Sequence, residues 1–213
     1  CPTHKTTGGI GVTQTGGTKG KVIGINGNMV SVEVAKGADV LQNEVAYVDL
    51  ENIQLKAEII KVQDQMCSVQ VFEDTTDIKV GMDVEFTGEM LAVELAPGLL
   101  EMIYDGLQNP LKELDNKDGF FLQRGQYLPA ISFERKWKFH PTAKVGDTVY
   151  RGSWLGWVPE LHFKHRIMVP FGLIGSAKVV SIKSEGEYKV KDEVAVLEDK
   201  EGRKHSVTMY QTW

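Results

Sequence analysis

Cysteine is almost missing: Cys1 and Cys67 are the two in 213 residues. Two cysteines build no disulfide framework and point to a reducing, cytosolic compartment. Cys67, inside "MCSVQVF", reads as a small buried thiol. No apolar run approaches the ~20 residues that a membrane-spanning helix needs. Nor does the start, with Pro2, Thr3, His4 and Lys5 followed by threonines and glycines, have the form of a secretory signal. Positive charge is in deficit. The net charge of −5 argues against nucleic acid or an anionic membrane surface as the main partner. What remains is ordinary for a globular protein, 42% apolar and 25% charged, and long enough for one large or two small domains.

Residues 1–18, "CPTHKTTGGIGVTQTGG" and Thr18, have few apolar side chains and read as a flexible leader or a remnant of engineering. From Lys19 the pattern alternates. "KVIGINGNMVSVEVA" is two runs around Asn26-Gly27, a pair suited to a type I′ hairpin. Val30, Val32 and Val34 share one face of the second run. "VAYVDL" (45–50) is a third strand, "IQLKAEIIKV" (53–62) and "MCSVQVFED" (66–74) form a hairpin around Asp64-Gln65, and "VGMDVEFTG" (80–88) is the sixth. Six short strands in about seventy residues predict a small closed barrel over 19–90, since closure removes exposed strand edges.

The stretch "AVELAPGLLEMIYDGLQNPLKEL" (92–114) differs. Pro97 suits a first helical turn, Leu100, Ile103 and Leu107 fall at i, i+3 and i+7, and Gly106 with Asn109-Pro110 would stop the chain. This predicts one short helix, Pro97–Gln108, in a linking segment 91–114. A helix so short needs a surface to dock on. The candidate packing residues are Pro97, Leu100, Ile103, Asp105, Gly106, Leu107, Gln108 and Pro110. Beyond the polar "DNKDG" lies a second β-rich region, 115–190, followed by strands over 191–213. "KVGDTVYRGSWLGWVPE" (144–160) and "GSAKVVSIKSEGEYKVKDEVAVLED" (175–199) resemble each other, with comparable corners at Gly146-Asp147 and Lys191-Asp192. This predicts a flattened β-sandwich of two similar halves. The fold class is thus mainly β: a six-stranded barrel, a sandwich, and one short helix between them.

Chemistry is sparse. The one Gly-Lys pair, Gly20-Lys21, is followed by Val22 and has Thr15 where a phosphate-binding loop needs its first glycine. Gly9 and Gly11 fit a G-x-G-x-x-G loop, but Gln14 replaces its third glycine and no strand precedes it. Cys1, His4, His162 and His165 offer metal-ligand atoms without the spacing of a known zinc site. His140 and His205 read as turn residues. Ser132 and Ser153 sit in no nucleophile elbow. Trp137, Phe139, Trp154 and Trp157 read as core. The region around Met168-Val169-Pro170 lacks the lysine of a biotinyl or lipoyl carrier. No catalytic, cofactor or metal site emerges.

The residues from about Lys19 to Trp213 resemble the N-terminal part of the catalytic A subunit of A-type/V-type rotary ATPases. The motifs are "GKVIGINGNMVSVE", the run from "AEIIKVQDQMCSVQVF" through "YDGLQNPL", and "FFLQRG", "WKFHP", "VGDTVYRGSWLGWVPE" and "HRIMVP". Ala92 and Ala96 stand where the family more often has serine and glycine, and Asn109 where it has arginine. The resemblance implies a non-catalytic fragment of a proton- or sodium-translocating ATPase or ATP synthase, its barrel and inserted bulge sandwich serving assembly. ATP and Mg would bind a nucleotide domain beyond this sequence. The implied partners are the non-catalytic B subunit of a hexameric head and, through the bulge, peripheral-stalk subunits. No nucleic acid and no direct membrane insertion are implied, and the location is cytoplasmic, peripheral to the membrane. The alternative is a stand-alone β-rich binding or carrier-type module.

Overall fold

The computed structural model describes residues 18–118 and 123–213. The leader, with Cys1, His4, Gly9, Gly11, Gln14 and Thr15, lies outside them apart from Thr18, as do Phe120, Phe121 and Leu122 of the "FFLQRG" motif. The described residues divide into two compact bodies, one built on residues 18–92, 114–118 and 123–127, the other on 93–113 and 128–213.

In the first body, β1 (Thr18–Asn26), β2 (Met29–Val34), β3 (Glu44–Leu50), β4 (Ile53–Gln63), β5 (Met66–Val71) and β6 (Asp83–Met90) close into a barrel of order β1-β2-β5-β4-β3-β6. Alternation decides what goes inside. Val30, Val32 and Val34 are buried, as are Cys67, Val69 and Val71, and Phe86 fills the interior beside Leu55 and Ile59. The first hairpin turns through Gly27–Asn28, because Asn26 pairs with Met29. That is one residue later than the Asn26-Gly27 pair suggests. β6 runs from 83 to 90, since Ile78–Met82 form turns that bond back to Val22.

Residues 123–127, expected in the second region, belong to this body. The Tyr127 hydroxyl accepts the Lys56 backbone N–H at 2.7 Å and donates to Glu73. Glu73 also accepts the Gly125 N–H at 2.8 Å, and Arg124 pairs with Asp77. Gly125 sits at φ +71, where a Cβ would come 2.8 Å from that of Ile53. Only glycine fits so close a positive-φ approach.

The second body carries β7 (Glu94–Leu95), β8 (Lys136–Pro141), β9 (Thr148–Tyr150), β10 (Trp154–Glu160), β11 (Phe163–Met168), β12 (Ser176–Ile182), β13 (Gly186–Lys189), β14 (Glu193–Asp199), β15 (Lys204–Thr208) and β16 (Gln211–Thr212). Two four-stranded sheets form, β11-β10-β8-β13 and β15-β14-β12-β9, with β16 paired to β7. β14 and β15 are integral to the second sheet, so the expected boundary at 190/191 is not where this body ends. The two similar corners share one turn chemistry. Asp147 Oδ2 accepts the Lys144 N–H and Asp192 Oδ2 accepts the Lys189 N–H, both at 2.8 Å. Each then delivers a buried valine, Val149 or Val194, into the following strand.

The expected Pro97–Gln108 helix is absent. The stretch contains one 3₁₀ turn, Leu99–Glu101, and the described α-helix, α1 (Leu111–Asp118), begins only after Pro110. Pro110 precedes a helical start rather than marking a stop, the position where a missing N–H costs least. Two histidines also differ from expectation. His140 lies in β8, stacked on Trp157 at 4.2 Å, and His205 lies in β15, bonded to Asp199.

Candidate assembly site

The segment from Glu94 to Pro110 crosses the second body and is tied down by polar side chains rather than by the apolar stripe Leu100, Ile103 and Leu107 of the helical reading. β7 opens it, with Leu95 opposite Gln211 and Glu94 opposite Thr212. Ala96 and Pro97 then bury. The chain turns at Gly98, whose φ of 111° disfavours any residue with a Cβ. The next backbone donors would be orphaned at the start of the 3₁₀ turn. Glu160, fully buried at the end of β10, receives them: its Oε1 accepts the Gly98 N–H at 2.7 Å and the Leu100 N–H at 3.0 Å. Its Oε2 lies 2.5 Å from His165 Nδ1 across the β10–β11 hairpin. A buried carboxylate is tolerable only with such partners.

Further ties follow. Glu101 holds Arg135 through both carboxylate oxygens, at 2.6 and 3.1 Å, and the guanidinium lies 4.0 Å over the Trp137 ring. That pairing lowers the Glu101 pKa and raises that of Arg135. Tyr104 donates to the Ala130 carbonyl at 2.8 Å, and burial raises its pKa. Asp105 Oδ1 accepts the N–H groups of Leu107 and Asn109, and its Oδ2 accepts the Asn109 amide. Gln108, at φ 63, both donates to and accepts from the Glu94 backbone at 2.7 Å. Glu94 itself accepts the Tyr210 hydroxyl at 3.0 Å and the Ala130 N–H at 3.1 Å.

The eight candidate residues therefore separate. Pro97 and Pro110 are buried, Asp105 and Gln108 are half-buried anchors, and Leu107 is half-buried. Gly106 is exposed, as are Leu100 at 57% and Ile103 at 74%. Leu100 and Ile103 are thus an outward apolar pair and not a docked stripe. The anchors missed by the sequence reading are Glu160, His165, Glu94 and Arg135. A lone glutamate closing "WLGWVPE" was the available signal for Glu160. His162 is exposed, while His165 serves Glu160, so the two do not act as a ligand pair. Among the described residues, no group of three His, Cys, Asp or Glu could hold a metal ion. Trp137 and Phe139 are core as expected, but Trp154 is 54% exposed and Trp157 half-buried.

A concavity of about 780 Å³ on the barrel is lined by Asp49, Glu51 and Asp83 with Tyr47 and Tyr127, and by no lysine or arginine among the described residues. A second, of about 360 Å³, is bounded by Tyr150, Arg151, Leu173, Ile174 and Gly175. The turn after Met168 buries Val169 and, as in the sequence, presents no lysine.

Comparison with known families gives two matches, in order along the chain. Residues 15–88 match the ATP synthase alpha/beta family β-barrel domain, and residues 128–213 match the ATPsynthase alpha/beta subunit barrel-sandwich domain. The chain is 53% identical over 196 residues to the V-type ATP synthase alpha chain of Treponema denticola, covering 92% of this chain and 33% of that one. It is 50% identical over 195 residues to the V-type ATP synthase alpha chain of Borrelia duttonii, covering 92% and 34%. The chain thus spans about a third of the length of the curated relatives it matches. Two domains matched in order, with relatives near 50% identity, place this chain in the ATP synthase alpha/beta family, as the N-terminal part of a V-type ATP synthase alpha chain.

Proposed function

We propose that these residues are the structural, assembly-forming part of the A subunit of a proton- or sodium-translocating rotary ATPase, and carry no ATP chemistry themselves. The observation that supports this is the closed barrel, whose six strands are all paired on both sides. A barrel without free edges suits a static ring of subunits, because it meets neighbours through side chains and resists shear. The acidic lining of the barrel's concavity and the lack of a G-x-x-x-x-G-K-[ST] sequence are consistent with nucleotide chemistry residing elsewhere in the parent subunit. In this reading the barrel meets the non-catalytic B subunit and the second body meets peripheral-stalk subunits. The parent then sits on the cytoplasmic side, peripheral to the membrane.

Calorimetry with Mg-ATP on the purified chain tests the non-catalytic part, with no heat of binding expected. Micromolar affinity for ATP overturns it. Mixing with the B subunit and measuring mass by native mass spectrometry tests the assembly part, which predicts mixed species.

A further inference from the structure

We infer that the outer face of β8, β10 and β11 is a docking surface for an acidic protein segment. Its centre is a ladder of rings and cations. Trp157 on β10 lies opposite His140 on β8 and Arg166 on β11. Residues directly opposed on neighbouring strands share a face. His140 stacks on Trp157, with ring centroids 4.2 Å apart, and Lys164 Nζ lies 4.6 Å over the same ring. Arg166 lies 3.5 Å over the Trp154 ring. Among the described residues, neither Lys164 nor Arg166 has a carboxylate partner, although Lys138 and His140 on the β8 side share Glu185. β11 is an edge strand, and the hairpin it forms with β10 also exposes Leu161 and Phe163, at 60% and 63%.

Two features make this face more than solvated surface. First, the charge is segregated. Residues 128–213 hold 14 lysines and arginines against ten acidic residues, while residues 18–92 hold six lysines against 13 acidic residues. In a chain of net charge −5, residues 128–213 are the cationic part, although residues 93–113, with Lys112 against Glu94, Glu101, Asp105 and Glu113, bring the second body as a whole close to neutral. Second, a guanidinium held against an indole keeps its in-plane donors for a carboxylate, and Trp and Arg are the residues that dominate binding energy at interfaces. Exposed Leu161, in the turn between β10 and β11, supplies an apolar anchor at the rim. An acidic amphipathic segment complements both. Nucleic acid fits less well, because Glu185 and Glu187 flank the same sheet on the β13 side and would repel phosphate.

This inference rests on the reading that the second body meets other subunits, and names the chemistry it would recognise. The test uses the whole chain and a fluorescein-labelled helical peptide of repeating Ala-Glu-Ala-Ala-Glu-Glu-Ala, followed by anisotropy at low and physiological salt. Saturable binding is expected, weakening with salt as screening sets in. The double variant Lys164→Glu, Arg166→Glu, whose side chains are solvent-facing, should bind about tenfold or more weakly with an unchanged circular dichroism spectrum. Absent binding, or equal binding by the double variant, overturns the inference. So does tighter binding of an oligo-dT strand or of vesicles containing phosphatidylglycerol. Native mass spectrometry of wild-type chain with B subunit reports separately on assembly. Its failure would sink that reading while leaving the peptide result to stand or fall alone.

Discussion

His165 Nδ1 and Glu160 Oε2 lie 2.5 Å apart, with the glutamate fully buried and the histidine side chain 25% exposed. The same carboxylate's other oxygen holds the backbone of Gly98 and Leu100, so one side chain joins the β10–β11 hairpin to the crossing segment. Replacing Glu160 with leucine removes the acceptor of the Gly98 and Leu100 N–H groups and leaves the imidazole unpartnered. The expected loss is about 3 kcal/mol, the low end for breaking a buried pair, because His165 can reach water. Amide hydrogen exchange reads it locally: Gly98 and Leu100 should lose about a hundredfold in protection. Unchanged protection at both amides would show that the turn is held by other ties.

Much of the barrel was legible because alternation and turn chemistry agreed. The valines of β2 and β5 faced inward at every second position, and Asp64 turned the β4–β5 hairpin at φ 51. The crossing segment was not legible, although Leu100, Ile103 and Leu107 had helical spacing. Its side chains compete with helix for the backbone. Asp105 captures two N–H groups and Gln108 reproduces a strand pairing with Glu94. Those partners lie on β7 and within the loop itself, and Glu160 lies more than fifty residues away, where periodicity cannot see it. The anchoring residues escaped for the same reason: a carboxylate's role here depends on which donors the fold brings to it.

The strap 123–127 yields a prediction about alkaline pH. Burial, followed by the hydrogen bond to Glu73, raises the Tyr127 pKa above that of a free phenol. A raised pKa means that the folded state favours the protonated form. Its contribution is complete below about pH 10, the ordinary phenol value, and is lost as pH rises beyond it. The urea midpoint of the barrel should therefore fall between about pH 9.5 and pH 11. Tyr127→Phe should start lower and fall less steeply, with a residual slope from Tyr47, which is also raised by burial. Parallel curves for the two proteins would refute the assignment.

Gly125→Ala should detach the same strap. The added Cβ meets Ile53 at 2.8 Å and the Gln54 carbonyl at 3.2 Å, from a φ of +71°. Backbone strain and overpacking together suggest a cost of about 2–3 kcal/mol. Thermal melting followed by near-ultraviolet circular dichroism of Tyr127 and Tyr47, whose rings meet edge-on at 6.2 Å, would report both the loss and its place. A melt identical to wild type would mean that the strap contributes nothing to the barrel.

Cys67 should be chemically quiet while the barrel is closed. It is 2% exposed, burial and the nearby Glu44 push its thiol up to about 11, and its Sγ lies 3.7 Å from the Val32 carbonyl. Since the thiolate is the reactive species, both access and ionisation oppose attack. Pulsed alkylation with iodoacetamide at pH 8, mapped by peptide mass spectrometry, should label Cys67 at least about a hundredfold more slowly in the native chain than in urea. Rapid native labelling of Cys67 would place it outside the barrel interior.

On the acid side the test is Asp199, at the end of β14. The His205 imidazole comes first among the groups that hold its pKa well below the usual carboxylate range, followed by the backbone N–H and guanidinium of Arg203 and the backbone N–H of Glu201. A depressed folded pKa means that the stabilisation is complete above the unfolded carboxyl value, near about pH 4, and drains away as pH falls below it. Asp199→Asn should therefore lower the thermal midpoint at pH 7 and converge on wild type towards pH 2. Raising salt at pH 7 should narrow the gap, because Arg203 is exposed and its share is screened. If the two midpoints stay equally far apart from pH 7 down to pH 2, ionisation of Asp199 is not what holds the β14–β15 turn.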